Sequence, residues 1–311
     1  MASEPPTLLV DCDTGIDDAV ALIYLAGRHV AGEIRLIGAT TTAGNTTAAQ
    51  AAANTAHVLR ACGLGGVPVA AGLPAPRRVA LTTTPETHGP GGLGYLDAPG
   101  APPEPAGGWR ALWRGAAAEG AALLVTGPAT NLAEIGPYPG EVTVMGGAID
   151  HPGNTTETAE WNAWVDPHAA KEAYAFQAEP PATCCPLGAT ERLTVDPPFL
   201  EELVAALGKA PVAGLLPEAL RFYFEFHESQ GEGYLAKVHD ALAAMVALDA
   251  IPHRAREAAI GVDVDGERRG TTTARAPAEG RPAARVVTWA DGEAARAELL
   301  RGARLLAEAW R

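Results

Sequence analysis

The sequence is poor in basic residues, and lysine is the rarer of the two. Its 311 residues include 23 lysines and arginines against 37 aspartates and glutamates, which gives a formal net charge of -14. Three of the basic residues are lysines. Nucleic acids and anionic membranes are bound by basic surfaces. We therefore expect neither of them as a partner of this protein.

Cysteine is also scarce, and a long apolar run is missing. The four cysteines are Cys12, Cys62, Cys184 and Cys185, and no two form a C-x-x-C pair. This excludes a disulfide framework and a zinc site of the usual spacing. No uncharged apolar run reaches the roughly 18 residues of a membrane span. The opening residues, MASEPPTLLV, lack the regions of a secretory signal. These features together predict a cytoplasmic protein.

The first two thirds of the chain alternate between strand-like and helix-like segments. The strand-like segments are TLLV, IRLIGATTTAG, VPVAAG, ALLVTG, EVTVMGGA and PATCCPL. The helix-like ones are AVALIYLAGR, NTTAAQAAANTAHVLRA, WRALWRGAAAEG and DPHAAKEAYAFQ. This order predicts an α/β fold with an open, mainly parallel, Rossmann-like sheet flanked by helices, in a single domain over residues 1–311. Ligands of such sheets bind beyond the carboxyl ends of the strands.

The C-terminal half has a different pattern. Residues 196–258 are predicted to be mostly helical, followed by a small hairpin in VDVDGERRGTTTARA that turns at Asp265–Gly266. Asp291 is expected to cap a final amphipathic helix, and Asn45 to cap the second helix of the chain. Residues 82–108 are rich in glycine and proline, which is typical either of a binding loop or of a disordered surface segment.

Four aspartates lie close together in TLLVDCDTGIDDAVAL, residues 7–22. Asp11 and Asp13 fall at the carboxyl edge of a strand, on a tight turn at Gly15. Asp17 and Asp18 fall in the first turn of a helix, where the helix dipole stabilises each by only about 0.3 to 1 kcal/mol. That is too little to hold four carboxylates together, whereas a hard cation is sufficient. A ligand set of oxygens alone indicates Ca²⁺ or Mg²⁺. The alternative is two helix caps and two solvated acids.

The segment differs from one known kind of acidic loop and partly resembles another. An EF-hand counted from Asp11 requires glycine and an acid where Ile16 and Leu22 stand, so it is excluded. The D-x-D of haloacid-dehalogenase phosphatases resembles Asp11-Cys12-Asp13, but Gly15 stands where that pattern has threonine or valine. A magnesium-dependent phosphatase of that type remains an alternative, as does a non-catalytic, calcium-dependent binder of ribose or nucleosides.

Further polar residues follow strands or open a helix. Such positions can supply metal or ligand contacts at the same edge of the sheet. They are Thr126 and Asn131 in VTGPATNLAEIG, Asn154, Glu160 and Asn162 in VMGGAIDHPGNTTETAEWNAWVDPHAA, and the pair His239–Asp240 in AKVHDALAAM. Each is a weak signal by itself, because a lone His–Asp pair is more often a helix cap with a surface histidine.

Taken together, these segments resemble one family. The chain is similar along nearly its whole length to the inosine-uridine-preferring nucleoside hydrolases. The matching motifs, in the family's order, are DCDTGIDDA, TTTAGN, HGPGGLG, TGPATN, MGG, GN, EWNAWVDP and VHD. One departure is Thr14, where the family usually has proline; it loosens the turn and removes no ligand.

The resemblance implies hydrolysis of the N-glycosidic bond of ribonucleosides to ribose and free base, by a Ca²⁺-bound water that an aspartate activates. The metal ligands would be Asp13, Asp18, Asp240 and the backbone carbonyl of Thr126. The ribose 2′- and 3′-hydroxyls and the water would complete the coordination. Asp13 would also be the general base.

The remaining roles follow from the same resemblance. Asp17 and Asn162 would bind ribose hydroxyls with Asn45 beside them, Asn154 and Glu160 would lie near the 5′-hydroxyl, and Asp11 would support the site from behind. His239 is the first candidate for protonating the leaving base, and His88 is the second. Nucleobase contacts are expected from loops and from residues 220–235, with stacking by Trp161, Trp164 or Tyr234 as a minor possibility. A homodimer or homotetramer is expected.

Overall fold

The computed structural model describes residues 4–98, 100, 105–176, 180–278 and 283–311. The strands are β1 Thr7–Cys12, β2 Arg35–Thr41, β3 Val69–Ala71, β4 Ala122–Val125, β5 Val142–Met145, β6 Thr183–Cys185, β7 Thr194–Val195, β8 Ala236–Lys237, β9 His253–Val262, β10 Thr272–Arg275 and β11 Ala284–Ala290. The helices are α1 Ile16–Val30, α2 Ala48–Ala61, α3 Pro85–His88, α4 Gly108–Ala118, α5 Thr130–Ile135, α6 Trp161–Val165, α7 Pro167–Ala175, α8 Leu187–Thr190, α9 Pro197–Leu207, α10 Leu216–Ser229, α11 His239–Ala247 and α12 Gly292–Glu308.

Nine strands form one sheet in the order β10-β9-β11-β6-β5-β4-β1-β2-β3. In this sheet the seven strands from β11 to β3 pair in parallel, and β9 pairs antiparallel with both β11 and β10. β7 and β8 form a separate antiparallel pair. The predicted α/β fold with an open, mainly parallel sheet is therefore confirmed. Because one sheet joins strands from β1 to β11, we retain a single domain over residues 1–311 as our proposal.

The central strand β1 is buried on both faces. Leu8 and Val10 belong to the apolar core on one side of the sheet, and Leu9 belongs to the core on the other side. Alternate residues of a strand point to opposite faces, so a continuous apolar run is what a doubly covered strand requires. The chain passes from β1 to β2 and β3 on one side, and then to β4 on the other. This change of direction makes the carboxyl ends of β1 and β4 the expected ligand crevice.

Two predicted features of the helices are resolved by hydrogen bonds. The side chain of Asp291 accepts bonds from the N–H groups of Glu293 and Ala294, so its role as the cap of α12 is confirmed. The cap of α2 is Thr47 rather than Asn45, because the Thr47 hydroxyl accepts a bond of 3.2 Å from Gln50 N–H. The prediction for Asn45 was wrong by two residues.

The prediction that residues 196–258 are mostly helical was wrong for the last residues of that range. β9 begins at His253, and the short β8 interrupts the helices earlier. HRAREA has good helix formers, but pairing with β11 along the strand overrides that local preference. The predicted hairpin is confirmed as β9 and β10, with Asp265 and Gly266 inside its connection. Among the described residues, no helix is both long and apolar enough to cross a membrane.

Candidate active site

Three buried carboxylates converge at the end of β1. Oxygens of Asp17, Asp18 and Asp240 lie within 4.8 Å of one another. Asp17 and Asp18 belong to the first turn of α1, as predicted, and Asp240 is the second residue of α11. The packing of α11 against α1 thus unites residues that are more than 200 positions apart in the chain.

Asp18 stands at the centre of this group. Its Oδ2 accepts a bond of 2.9 Å from Gly15 N–H, and its Oδ1 accepts one of 2.7 Å from the Thr126 hydroxyl. A carboxylate oxygen of Asp240 lies within 4.8 Å of one of its oxygens, and the charge of Asp18 helps to raise the pKa of Asp13. Of the predicted metal-binding residues, the structure therefore brings Asp13, Asp18, Asp240 and Thr126 together.

Asp13 is fixed by the loop that follows β2. Its Oδ2 accepts a bond of 2.6 Å from Asn45 N–H, and its Oδ1 accepts one of 3.3 Å from Asn45 Nδ2. Asp13 is 1% exposed, so these bonds replace the water that a surface carboxylate would have. This contact explains why Asn45 lies outside α2 and does not cap it.

Burial raises the pKa of every acid in the group, and repulsion between the acids adds to the effect at Asp13, Asp17 and Asp240. Burial, then the charge of Asp18, raises the pKa of Asp17 to about 8 and that of Asp13 well above its usual range. Burial and the charge of Asp17 do the same to the pKa of Asp240, and burial raises that of Asp18. So many buried carboxylates are costly unless a cation or protons balance them.

The residues fit a hard cation. Asp17 Oδ1 is fully buried and has no hydrogen-bond partner within the protein, and the atoms that converge are all oxygens. Calcium and magnesium both prefer such ligands. The described residues that satisfy the 4.8 Å distance include Asp17, which was expected to bind ribose, and do not include the predicted ligand Asp13.

Asp11 lies behind the carboxylates, as expected. Its Oδ1 accepts bonds of 2.6 Å from the Thr40 hydroxyl and 2.8 Å from Asn131 Nδ2, so it joins β1 to β2 and α5. Burial raises the pKa of Asp11 to about 6. Trp113 Nε1 in turn donates to the Thr40 hydroxyl. Asp11 therefore orients the strand ends and does not face the cavity.

Asn162 and Glu160 meet at the start of α6. Asn162 Nδ2 donates a bond of 2.7 Å to the Thr126 carbonyl, which leaves Asn162 Oδ1 as its remaining polar atom. Glu160 caps α6 and accepts bonds from the N–H groups of Gly147, Asn162 and Ala163. Three such bonds hold its carboxylate rigidly, although burial raises its pKa. Both side chains line the cavity.

Asn154 lies at the exposed rim of the same wall. Its Oδ1 accepts a bond of 3.0 Å from Trp161 N–H, so its amide nitrogen is left for other partners. Trp161 lines the cavity beside it. Trp164 stacks on Trp161 at 5.8 Å and is covered by Arg269, while Tyr234 is 39% exposed; neither of the two is a lining residue.

The glycine- and proline-rich loop delivers His88 to the site. His88 is 5% exposed, and its Nδ1 accepts a bond of 3.1 Å from Ile16 N–H. Burial lowers the pKa of His88 to about 3. A Cβ on Gly15 would lie 2.7 Å from His88 Nδ1 and 2.6 Å from Asn45 Nδ2. Glycine is required at residue 15 by this close approach, since its φ of -87° is ordinary.

His239 is buried beside the acids as the first residue of α11. Its Nδ1 is 2.9 Å from the Thr190 hydroxyl. Burial, with a smaller contribution from His227, lowers the pKa of His239 to about 3. His239 is thus a neutral imidazole at pH 7 in the free protein, and it can protonate a leaving group only if the bound substrate or a shared proton changes that.

These residues surround a cavity of about 290 Å³. The predicted residues that line it are Asp17, Asn45, His88, Thr126, Asn154, Glu160, Asn162, His239 and Asp240. Another part of the wall comes from the last turns of α10 and from β8: Tyr223, Phe226, His227, Gln230, Glu232 and Lys237. Base contacts were expected from residues 220–235, and all of these side chains except Lys237 lie in that range. The spacing of Tyr223 and His227 on one helix face was the signal for them.

The comparisons with known proteins identify a family for this chain. Residues 8–297 match the family described as inosine-uridine preferring nucleoside hydrolase. The enzyme of that description from Leishmania major is 31% identical over 275 residues, which is 84% of this chain and 85% of the relative. The pyrimidine-specific ribonucleoside hydrolase RihA of Photobacterium profundum is 32% identical over 247 residues, 75% of this chain and 76% of the relative.

Solved structures share the fold over almost the entire chain. The purine-preferring ribonucleoside hydrolase from Gardnerella vaginalis superposes with a TM-score of 0.86 at 25% identity, covering 97% of this chain and 99% of that one. A plant nucleoside hydrolase superposes with a TM-score of 0.84 at 24% identity, covering 96% and 99%. At 24% identity, the similarity to the plant enzyme shows the fold alone.

Proposed function

The chain belongs to the inosine-uridine preferring nucleoside hydrolase family and hydrolyses the N-glycosidic bond of ribonucleosides, and we propose that Asp13 is the general base of that reaction. The family binds a metal ion, and we propose Ca²⁺ held by Asp13, Asp18, Asp240 and the Thr126 carbonyl. Membership of this family replaces the two alternative interpretations of the aspartates, which were a magnesium-dependent phosphatase and a non-catalytic binder.

One observation supports the proposal most directly. The carboxylates of Asp17 and Asp18 from α1 and of Asp240 from α11 converge within 4.8 Å at the wall of a cavity, and Asp17 Oδ1 is buried without a hydrogen-bond partner in the protein. A cation at this position would orient the ribose diol and acidify a coordinated water, which is chemistry that glycoside cleavage uses. The proposed ligand number exceeds the strict octahedron of magnesium, so calcium is the better fit.

Asp13 comes directly after β1 and close enough to the proposed metal ligand Asp18 for the two charges to interact, and we assign the base to it on that ground. Its carboxylate is held by two bonds from Asn45, and one from the backbone favours its charged form. It takes a proton from the attacking water as the water oxygen bonds to C1′ of the ribose. The C1′–N bond breaks at the same time, and its electron pair leaves with the base.

The other acids stabilise the ribose as positive charge develops on it. Oxocarbenium character on C1′ and the ring oxygen is stabilised by nearby negative charge, and Asp17 at the cavity wall would bind a ribose hydroxyl. Asn162 Oδ1 and Asn45 would accept bonds from ribose hydroxyls. Asn154 and Glu160 would position the 5′-hydroxyl, and Asp11 would hold the strand ends behind them. His239, or else His88, would give the departing base its proton.

A panel of nucleosides tests the proposal. Purified protein is assayed on inosine, uridine, adenosine and cytidine, with p-nitrophenyl riboside as a substrate whose leaving group needs no proton. Release of free base and ribose is expected on at least one nucleoside, and loss of activity after chelation is expected to be reversed by added calcium. Phosphate release from phosphomonoesters, or binding of nucleosides without turnover, would contradict it.

We further propose a homodimer or homotetramer located in the cytoplasm. Light scattering coupled to size-exclusion chromatography measures the first, and fractionation of the source cells measures the second. A monomer at micromolar concentration would overturn the oligomer proposal.

A further inference from the structure

Asn54 is a fully buried polar residue in the middle of α2, behind the turn that carries the aspartates. Its amide nitrogen donates bonds of 3.0 Å to the Thr14 carbonyl and 2.8 Å to the Gly91 carbonyl. Its Oδ1 accepts a bond of 3.0 Å from Gln50 Nε2. Because both partners of the nitrogen are carbonyls, the orientation of the amide is fixed by its hydrogen bonds. Asparagine is a poorer helix former than alanine, so its presence here requires a physical explanation.

The first partner of Asn54 belongs to the peptide group between residues 14 and 15. The carbonyl of that group accepts the bond from Asn54, and its N–H, on Gly15, donates the bond of 2.9 Å to Asp18 Oδ2. A peptide group is planar, and a hydrogen bond at its carbonyl polarises its N–H. Asn54 therefore orients and strengthens the donor that holds the central carboxylate, although it does not touch the carboxylate itself.

The second partner of Asn54 lies in residues 88–94, the glycine-rich segment that begins at His88. This segment is closed by a bond of 2.7 Å from Gly94 N–H to the His88 carbonyl. Gly92 has a φ of +88°, and a Cβ at that residue would lie 2.8 Å from Asn54 Nδ2. The segment is thus seated directly on Asn54, and glycine is required at residue 92 by both its backbone conformation and this close approach.

The two bonds of the Asn54 nitrogen depend on each other. One planar amide makes both, so a shift of residues 88–94 disturbs the bond to Thr14, and a shift of the turn disturbs the bond to Gly91. A buried carbonyl that loses its donor is costly, which penalises either movement. The bond from Ile16 N–H to His88 Nδ1 ties the same two segments at a second point.

We propose that Asn54 is a positioning residue that couples the turn of residues 13–18 to residues 88–94, so that metal binding at the turn and docking of the glycine-rich segment strengthen each other. This inference rests on the proposed function, because it requires a metal ion held by Asp13 and Asp18. Such coupling is reciprocal, so the docked segment raises the metal affinity by the factor by which the metal stabilises docking. Its consequence for the reaction is that His88 has a fixed position at the cavity wall when the metal is bound.

The test removes the two donors of Asn54. Asn54→Ala suits a helix and deletes the amide, and Asn54→Leu deletes it while filling most of its volume. Thr55→Val is the matched control. Thr55 is equally buried and its hydroxyl lies 2.6 Å from the Thr14 hydroxyl, so this change loosens the turn but leaves the bond from Asn54 to Gly91 in place.

Two measurements without substrate are compared for each protein. Calorimetric titration gives the calcium affinity, which we expect to fall about 5- to 150-fold in Asn54→Ala, the usual range for coupled sites. Hydrogen exchange of Gly94 N–H, with and without calcium, reports docking of the segment. Calcium should slow this exchange in the wild type and in Thr55→Val, and it should have little effect in Asn54→Ala and Asn54→Leu. The factor lost in affinity should match the factor lost in protection.

The two measurements separate coupling from a merely structural role. If Asn54→Ala binds calcium weakly but calcium still slows exchange at Gly94 as in the wild type, Asn54 only supports the turn, and the inference is overturned. It is also overturned if calcium leaves exchange at Gly94 unchanged in the wild type. Circular dichroism verifies folding, and Asn54→Leu decides if the alanine variant is unfolded. A wild type that binds no calcium contradicts the proposed metal site, and the inference fails with it.

Discussion

The ring of His88 accepts a hydrogen bond from Ile16 N–H, 72 residues earlier in the chain. Ile16 is the first residue of α1, so its N–H has no partner within the helix. The bond attaches the glycine-rich loop to the turn that carries the aspartates. It also makes Nδ1 of His88 an acceptor, so the proton of the neutral ring is on Nε2. This relationship connects loop position to the geometry of the acids.

Replacing His239 with alanine should separate the two classes of substrate. If His239 protonates the departing base, natural nucleosides should lose about 10²- to 10⁴-fold in kcat, while p-nitrophenyl riboside should lose little. Steady-state kinetics on both substrates measure the contrast. Burial lowers the pKa of His239 to about 3, which opposes a role as proton donor. A comparable loss on natural nucleosides and on p-nitrophenyl riboside would mean that His239 supports Asp240 instead. His88→Ala is then the next variant, and its Nε2 proton is the alternative source.

Asp13→Asn should fold normally and lose turnover by several orders of magnitude. The amide keeps the shape of the carboxyl but removes a ligand charge and the proposed base. Turnover of the best nucleoside and the circular dichroism spectrum measure the two effects. Asp249→Asn, at an exposed acid, is a control that should retain wild-type activity. If the Asp13→Asn variant keeps a tenth of the wild-type rate, Asp13 is not the base.

Calcium should be the metal in protein purified without chelators. Three carboxylates, a carbonyl, a diol and a water exceed six ligands, which calcium accepts and magnesium does not. Elemental analysis should find about one calcium per chain. Magnesium or zinc in its place, with no calcium, would rule the assignment out.

Calcium affinity should rise with pH up to about pH 8. The pKa of Asp17 is raised to about 8, and those of Asp13 and Asp240 are raised well above the usual range, so the metal-free acids hold protons to a higher pH than ordinary carboxylates do. Calcium has to displace them, and proton release accompanies binding. Calorimetric titration at pH 6, 7 and 8, in buffers of different ionisation enthalpy, measures both quantities. An affinity that is constant across this range would contradict the raised pKa values.

The ribose diol should be required for turnover. If the 2′- and 3′-hydroxyls complete the coordination of the metal, 2′-deoxynucleosides lose one ligand and one contact. Deoxyuridine and uridine differ only in that hydroxyl, so the ratio of their kcat/KM values measures it. Equal values would place the diol away from the aspartates.

Much of the site could be predicted from sequence because its acids are local. An apolar strand followed at once by Asp13, and by Asp17 and Asp18 in a first helical turn, places three carboxylates at one strand end under short-range rules alone. Thr126 follows another strand of a parallel sheet, so its arrival at the same edge was also implied. The alternation of strands and helices defined that sheet for the same reason.

Other features depended on contacts between distant segments. The bonds of Asn45 to Asp13 cross 32 residues, so nothing near Asn45 distinguishes it from the helix cap that Thr47 actually is. His253 begins a strand because β11 pairs with it, although its own neighbours favour a helix. A local sequence pattern indicates only local preference. The roles of Asn45 and His253 were decided by Asp13 and by β11, which lie far away in the chain.

Lys237 shows the division most clearly. By sequence alone it is a lysine in a region predicted to be mostly helical, and such a residue is usually solvated at the surface. Only the packing of α8, the end of α10 and β8 brings Glu191 and Glu232 to its ammonium and turns it toward the cavity. The acids near one strand end were determined by local sequence, whereas the surroundings of Lys237 were decided by tertiary structure, because Glu191 and Lys237 come from segments far apart in the chain.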